Sequence, residues 1–217
     1  MAGQRRTVMP TTRQRILDVA ERLFAQHGID AVSIRQITKA ANVNLAAINY
    51  HFGGKKGLIA AVVERRIKPL SDQQIDGLKE VQRGSGRKAP SLEAVLEAFF
   101  RPAIEHAVQH RRDGATFARM MVRCMADPNP VVGQKMAELI SPVVGQLNAM
   151  LLKALPQMDQ DDISWRMHLL MGGLHQSLLM MAICKGRRKQ RCAQVDLQTY
   201  LSRFLAFAVA AFKARLP

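Results

Sequence analysis

The apolar positions of this chain recur at helical spacing from near its start to near its end. Between residues 11 and 27 they fall at Ile16, Val19, Ala20, Leu23 and Phe24, the three-and-four spacing of one buried stripe. Arg13, Arg15, Asp18, Glu21 and Arg22 occupy the other faces. His27-Gly28 follows, and a glycine just past a periodic run stops a helix. Ser33 is a good N-cap for a second, short helix whose Ile34 and Ile37 face inward. In Ala40-Ala41-Asn42-Val43 the small alanines let two helices approach closely around a turn. Asn44 caps a third helix, 44–50, anchored to the other two by Ile48.

The helical pattern continues beyond this head. Residues 57–70 read as a fourth helix, and the Gly-, Ser- and Arg-containing stretch 82–90 as a loop. Ser91 caps a helix in which Pro102 removes one amide donor and predicts a kink. A helix over 116–125 ends at Asp127-Pro128-Asn129-Pro130, and 131–155 is helical with an irregularity at Ser141-Pro142. Two long segments close the chain, 162–184 and 195–215. No segment alternates as a half-buried strand would. The prediction is an all-α protein: an N-terminal arm and three-helix head over 1–53, and a helical body over 54–217.

What the third helix leaves outward is Leu45, Ala46, Asn49 and Tyr50, short or hydrogen-bonding side chains such as a helix entering a major groove requires. His51 follows, and Lys55 and Lys56 stand behind the two glycines. Charge agrees with a polyanionic partner. The 217 residues carry a formal charge of +15, and residues 1–70 hold 12 Lys and Arg against 4 Asp and Glu, about twice the density of the rest.

With Phe24 and Gly28 closing the first helix, Ile37 and Ala40-Ala41 in the second, Val43 at the turn, and Tyr50-His51-Phe52 before Lys55-Lys56, residues 11–68 resemble the helix-turn-helix domain of the TetR family of bacterial transcriptional regulators. The run from Val43 to Lys56, with Trp165-Arg166-Met167-His168 far downstream, is most similar to the fatty-acid-responsive PsrA type of that family. The resemblance implies a dimeric, cytoplasmic repressor on a double-stranded, palindromic operator, released by a small apolar effector. It assigns DNA contacts to Ser33, Asn44, Leu45, Ala46, Asn49, Tyr50, His51, Lys55 and Lys56. Many members carry an aromatic residue where this chain has Asn49, and asparagine bonds adenine bidentately, which makes Asn49 a candidate base reader.

The last two helices bear on assembly. In 162–184, Ile163, Met167, Leu170, Leu174, Leu178 and Met181 form one apolar stripe, and Trp165, His168, Gly172, His175 and Leu179 a second on the opposite side. A helix apolar nearly all round is buried on two sides, one by its own core and one by a second copy. Leu201, Phe204, Leu205 and Ala208 supply the matching stripe of the final helix, and the resemblance implies a four-helix dimer interface. The effector pocket is expected among Phe99, Phe100, Phe117, Met120, Met121, Met167 and Met171, because thioethers repack around varied apolar ligands. Arg101, Arg119, Arg123 and above all Arg166 lie beside these positions, which predicts an apolar chain ending in a carboxylate or phosphate.

Other chemistries find less support. No nucleophile-base-acid set, phosphate-binding glycine loop or carboxylate cluster is present, so no enzyme and no cofactor is expected. His168 and His175 are seven apart without the i, i+4 spacing or carboxylate support of a metal site, and read as packed histidines. The odd set Cys124, Cys184 and Cys192 reads as reduced thiols, with no apolar run long enough to span a membrane and no secretory signal at the N-terminus. Two alternatives stay open: a redox switch formed by Cys184 and Cys192 across a loop with five positive charges, and an architectural DNA-binding protein blind to ligands.

Overall fold

A computed structural model of the chain describes residues 10–109, 114–184 and 196–214. Among them are nine helices and no strand: α1 (Thr12–His27), α2 (Ile34–Ala41), α3 (Leu45–Phe52), α4 (Lys55–Ser85), α5 (Leu92–Gln109), α6 (Gly114–Ala126), α7 (Pro130–Ala154), α8 (Gln160–Cys184) and α9 (Leu197–Lys213). The capping residues act where the sequence places them. Ser33 makes a reciprocal capping box with Gln36, and Asn44 accepts from the Ala47 amide at 2.9 Å. Thr11 and Gln14 form a second capping box, at the start of α1. Gly28 ends α1 at φ 93, a backbone angle that side-chain-bearing residues rarely adopt.

The fourth helix departs from the prediction. It is one continuous element of 31 residues, beginning at Lys55 and running past both Pro69 and the expected loop start at residue 82. Polar residues dominate 71–85 and hide the periodicity. The face that matters is Leu70, Gln74, Leu78 and Val81, which the body packs against, and this packing holds the helix. At its other end Gly57 meets the last turn of α3. A Cβ there would lie 1.8 Å from the Phe52 carbonyl oxygen, so only glycine permits this approach.

Two apolar clusters result. One lies in the body, between α5, α7, α8, α9 and the second half of α4. The other lies under the head and reaches well beyond residue 53: Phe24, Ile37 and Ile48 share it with Leu58, Val62 and Val63 of α4, Met120 and Cys124 of α6, and Val132 of α7. Ion pairs from Arg65 to Asp18 and from Arg66 to the buried Glu21 fasten α4 to α1. The head therefore stands on the body through α4 and α6.

Candidate DNA interface and effector cavity

Helix α3 is held by Ile48, fully buried, so its opposite face is turned to solvent. That face carries Leu45, 55% exposed, Tyr50, 86% exposed, and the exposed Ala46 and Asn49. Ser33 and Asn44 are exposed too, but their side-chain oxygens are committed to capping α2 and α3. Lys55 is half-buried and its Nζ donates to the Asp30 carbonyl at 3.3 Å, while Lys56 is exposed. The N-terminus of α4 begins at Gly54 with no side chain capping its amides, an electropositive end beside the two lysines. His51 is half-buried between Tyr50 and Phe52, edge-on to each.

One head residue escaped sequence reasoning. Arg13 on α1 lays its guanidinium over the Phe52 ring, 5.4 Å from the centroid, and so brings a cation to the end of α3. The two positions are 39 residues apart in sequence, and no local pattern announces such a contact.

In the body, a small cavity of about 50 Å³ opens where five helices converge. Helix α4 contributes Ile67, Leu70, Ser71 and Gln74, α5 contributes Phe99, Phe100 and Ala103, and α6 and α7 contribute Met121 and Ile140. Met171, Leu174, His175 and Leu178 of α8 close it. Burial holds the His175 pKa below its ordinary value, so the ring is neutral at pH 7. The Gln74 amide donates to the Phe99 carbonyl at 2.8 Å, close to Pro102, which lies inside the continuous α5.

Several expected pocket residues lie elsewhere. Phe99, Phe100, Met121 and Met171 face the cavity, whereas Met120 is packed under the head and Met167 in the body core. The side chain of Phe117 lies outside the described residues. Arg166 is a correction. It sits about 140° round α8 from Met171, buried, with its guanidinium donating to the Ala211 carbonyl in the last turn of α9. The other candidate cations are also engaged or turned away. Arg101 pairs with Glu97 and Glu105, Arg119 is exposed, and Arg123 donates to the carbonyls of Ala25 and Gln26 at 3.1 and 3.3 Å. None of the described side chains lining the cavity is an acid, a lysine or an arginine.

The outer face of α8 and α9 is likewise shifted from the prediction. Trp165, His168 and Gly172 are exposed, but His175 turns into the cavity and Leu179 is half-buried beside Arg119 and Arg123. On α9, Leu201 and Ala208 are buried in the chain's own core, Phe204 packs edge-on against Phe100, and Leu205 is half-buried. The apolar side chains left open are Trp165, Leu169 and Met180 of α8 and Phe207 of α9. Sequence periodicity missed Leu169 and Met180 because α8 is apolar nearly all round, which leaves its phase undetermined, and it missed Phe207 of α9 as well.

Cys124 is buried and its thiol is pushed up to about 12, chiefly by desolvation, which makes it unreactive. Cys184 and Cys192 lie outside the described residues in their side chains and, for Cys192, in its backbone. No helix among the described residues is long and apolar enough to cross a membrane.

Comparison with known proteins agrees with the head and extends to the body. Residues 16–62 match the family described as bacterial regulatory proteins, tetR family, and residues 97–211, more than half of the chain, match the tetracyclin repressor-like C-terminal domain. The chain belongs to the TetR family. The family model matched by its head describes bacterial regulatory proteins, and the curated relatives it matches are HTH-type transcriptional regulators. The HTH-type transcriptional regulator AcrR of Shigella flexneri is 44% identical over 79 residues, 36% of this chain and 34% of that protein. The HTH-type transcriptional repressor AcnR of Corynebacterium glutamicum is 35% identical over 74 residues, 34% of this chain and 39% of that protein. The chain thus aligns with only a third to two fifths of these relatives' length. Over the whole fold it is similar to the fatty acid degradation regulator FadR from Bacillus halodurans, with a TM-score of 0.66 at 15% identity, covering 99% of this chain and 100% of that one.

Proposed function

We propose that this TetR-family regulator binds a palindromic operator as a homodimer, represses from it, and is released when a small apolar ligand enters the cavity of the body. The observation that carries this reading is α4. Its uncapped N-terminus with Lys55 and Lys56 stands at the α3 surface, and Ile67 to Gln74 of the same unbroken helix form one wall of the cavity. About 24 Å of helix separates Lys55 from Ser71, so a ligand that moves the wall moves the head. Helix α6 supplies a second link, with Met121 at the cavity and Arg123 on the end of α1.

The exposed Trp165, Leu169, Met180 and Phe207 support a second copy as the partner of the α8–α9 face, because such a patch is costly to leave in water. Two heads paired in this way read successive major grooves, ~34–36 Å apart. A ligand shifts that spacing only through its different affinity for the two conformations. In the head, Tyr50, Lys55 and Lys56 hold phosphates, while Leu45, Ala46 and Asn49 face base edges, Asn49 suited to adenine. The PsrA resemblance and the FadR fold both suggest an acyl effector. The cavity, with its arginines placed elsewhere, supports an uncharged ligand instead.

Selection of binding sites from random duplex DNA tests the reading, with sedimentation of the complex. A palindrome bound by two protomers is expected. A non-palindromic site bound by one protomer, or coating without a preferred sequence, refutes it.

A further inference from the structure

The polar groups of the cavity are few and underused. Ser71 is 4% exposed and Gln74 8% exposed, both at the cavity wall. Neither the Ser71 hydroxyl nor the His175 ring forms a hydrogen bond with any described residue, and Gln74 uses only its amide nitrogen, on the Phe99 carbonyl. Polar groups enclosed with a ligand are normally paired, so buried Ser71 and Gln74 and half-buried His175, all lining one apolar space, offer a place for a hydrogen-bonding ligand atom.

We infer that the cavity is built for a small uncharged molecule, a single apolar ring or short chain carrying one hydroxyl. This rests on the reading of the cavity as an effector site and names the class of effector. A hydroxyl both donates and accepts. It meets the Ser71 hydroxyl from either side, and it donates to the free Gln74 carbonyl oxygen or to the unprotonated nitrogen of neutral His175. A carboxylate only accepts, so it would face the Gln74 oxygen with no described cation in the lining to offset its desolvation. An ammonium finds no described carboxylate there.

Size sets the other limit. The space is about 50 Å³, whereas an apolar cavity of roughly 150 Å³ is one that accepts benzene. Even one ring must therefore push its walls apart, and Met121 and Met171, flexible thioethers on α6 and α8, are the side chains that yield. A long acyl chain would have to displace Phe99 and Phe100, which hold the body core. The wedge acts where α6 and α4 leave for the head, so occupancy and head position are linked.

The test compares four probes of one shape at pH 7.5 on the full-length protein by calorimetry: 4-ethylphenol, ethylbenzene, 4-ethylbenzoate and 4-ethylbenzylammonium. The phenol is expected to bind about tenfold more tightly than ethylbenzene, the value of one net hydrogen bond, and both ions more weakly than either. Ser71→Ala should remove most of the phenol's advantage while leaving ethylbenzene binding and thermal stability unchanged, a result mere loss of packing would not give. Tighter binding of the benzoate or the ammonium, equal binding of phenol and ethylbenzene, or binding of none of the four overturns the inference. Operator release is measured separately. If the phenol binds in the expected order without releasing DNA, the ligand class stands and the release mechanism falls.

Discussion

Arg123 joins the two halves of the molecule, and its removal has a size that can be worked out. The last carbonyls of α1 have no partner within the helix. Gly28 takes that of Phe24 through its amide, and Arg123 takes those of Ala25 and Gln26 from α6. A hydrogen bond from a charged donor contributes roughly 1.5–3 kcal/mol when buried. The bond to Ala25 is part-buried and that to Gln26 exposed, so solvent cancels most of the second. A cation at a helix C-terminus adds about 0.3–1 kcal/mol. Asn129 donating to Asp30 at 2.7 Å remains as a second tie between head and body. Arg123→Ala should therefore cost about 1.5–2.5 kcal/mol in urea denaturation, with Arg123→Lys recovering less than half because a single ammonium nitrogen cannot occupy both the Nε and Nη2 positions from which the planar guanidinium reaches the two carbonyls. Amide exchange monitored by mass spectrometry should accelerate about tenfold in the last turn of α1, since local opening becomes easier. Unchanged stability together with unchanged exchange in that turn would show that the guanidinium holds nothing, and the α6 link to the head would be withdrawn.

Gly57→Ala forces a Cβ to within 1.8 Å of the Phe52 carbonyl, so α3 must shift against α4. Overpacking of this kind costs about 1–3 kcal/mol, and operator affinity should fall far more than stability; a variant with unaltered affinity contradicts the geometry. Phe207→Asp, at a position 64% exposed, should leave a folded chain that sediments as a monomer and binds operator poorly; a dimer of undiminished affinity would move the interface elsewhere. Lys56→Ala should weaken binding to all sequences alike and lower the salt slope by about one unit, and a changed sequence preference at constant slope would make Lys56 a base reader. His175 is held neutral by burial, so its folded pKa lies below the unfolded value. Its contribution to stability is complete above about pH 6.5 and is lost as pH falls through the folded pKa. Melting temperatures of wild type and His175→Gln should therefore diverge with pH, the wild type losing more on acidification; parallel curves would place the ring in water.

Much of the head was legible in the chain itself. Helix ends there are specified by single residues, Ser33, Asn44 and Gly28, whose side chains or backbone angles act on amides only a few positions away. The buried stripe of α1 and the anchor Ile48 follow from periodicity alone, because one short amphipathic helix has only one way to bury its apolar side. The helical character of the body was legible for the same reason. Its phase was not: α8 is apolar on nearly every side, so nothing local decides that Leu169 faces out and His175 in. The course of α4 through Pro69 and a polar stretch rests on packing against α5 and α7, contacts that appear only when distant segments meet. Arginines beside apolar residues in sequence promised an anion site, yet tertiary structure sent Arg166 to the end of α9 and Arg123 to the end of α1. Long side chains find partners in three dimensions, and a sequence records spacing along one. Short-range hydrogen bonds and amphipathic periodicity thus belong to the sequence, while the facing of an all-apolar helix and the destination of each arginine were decided by the fold.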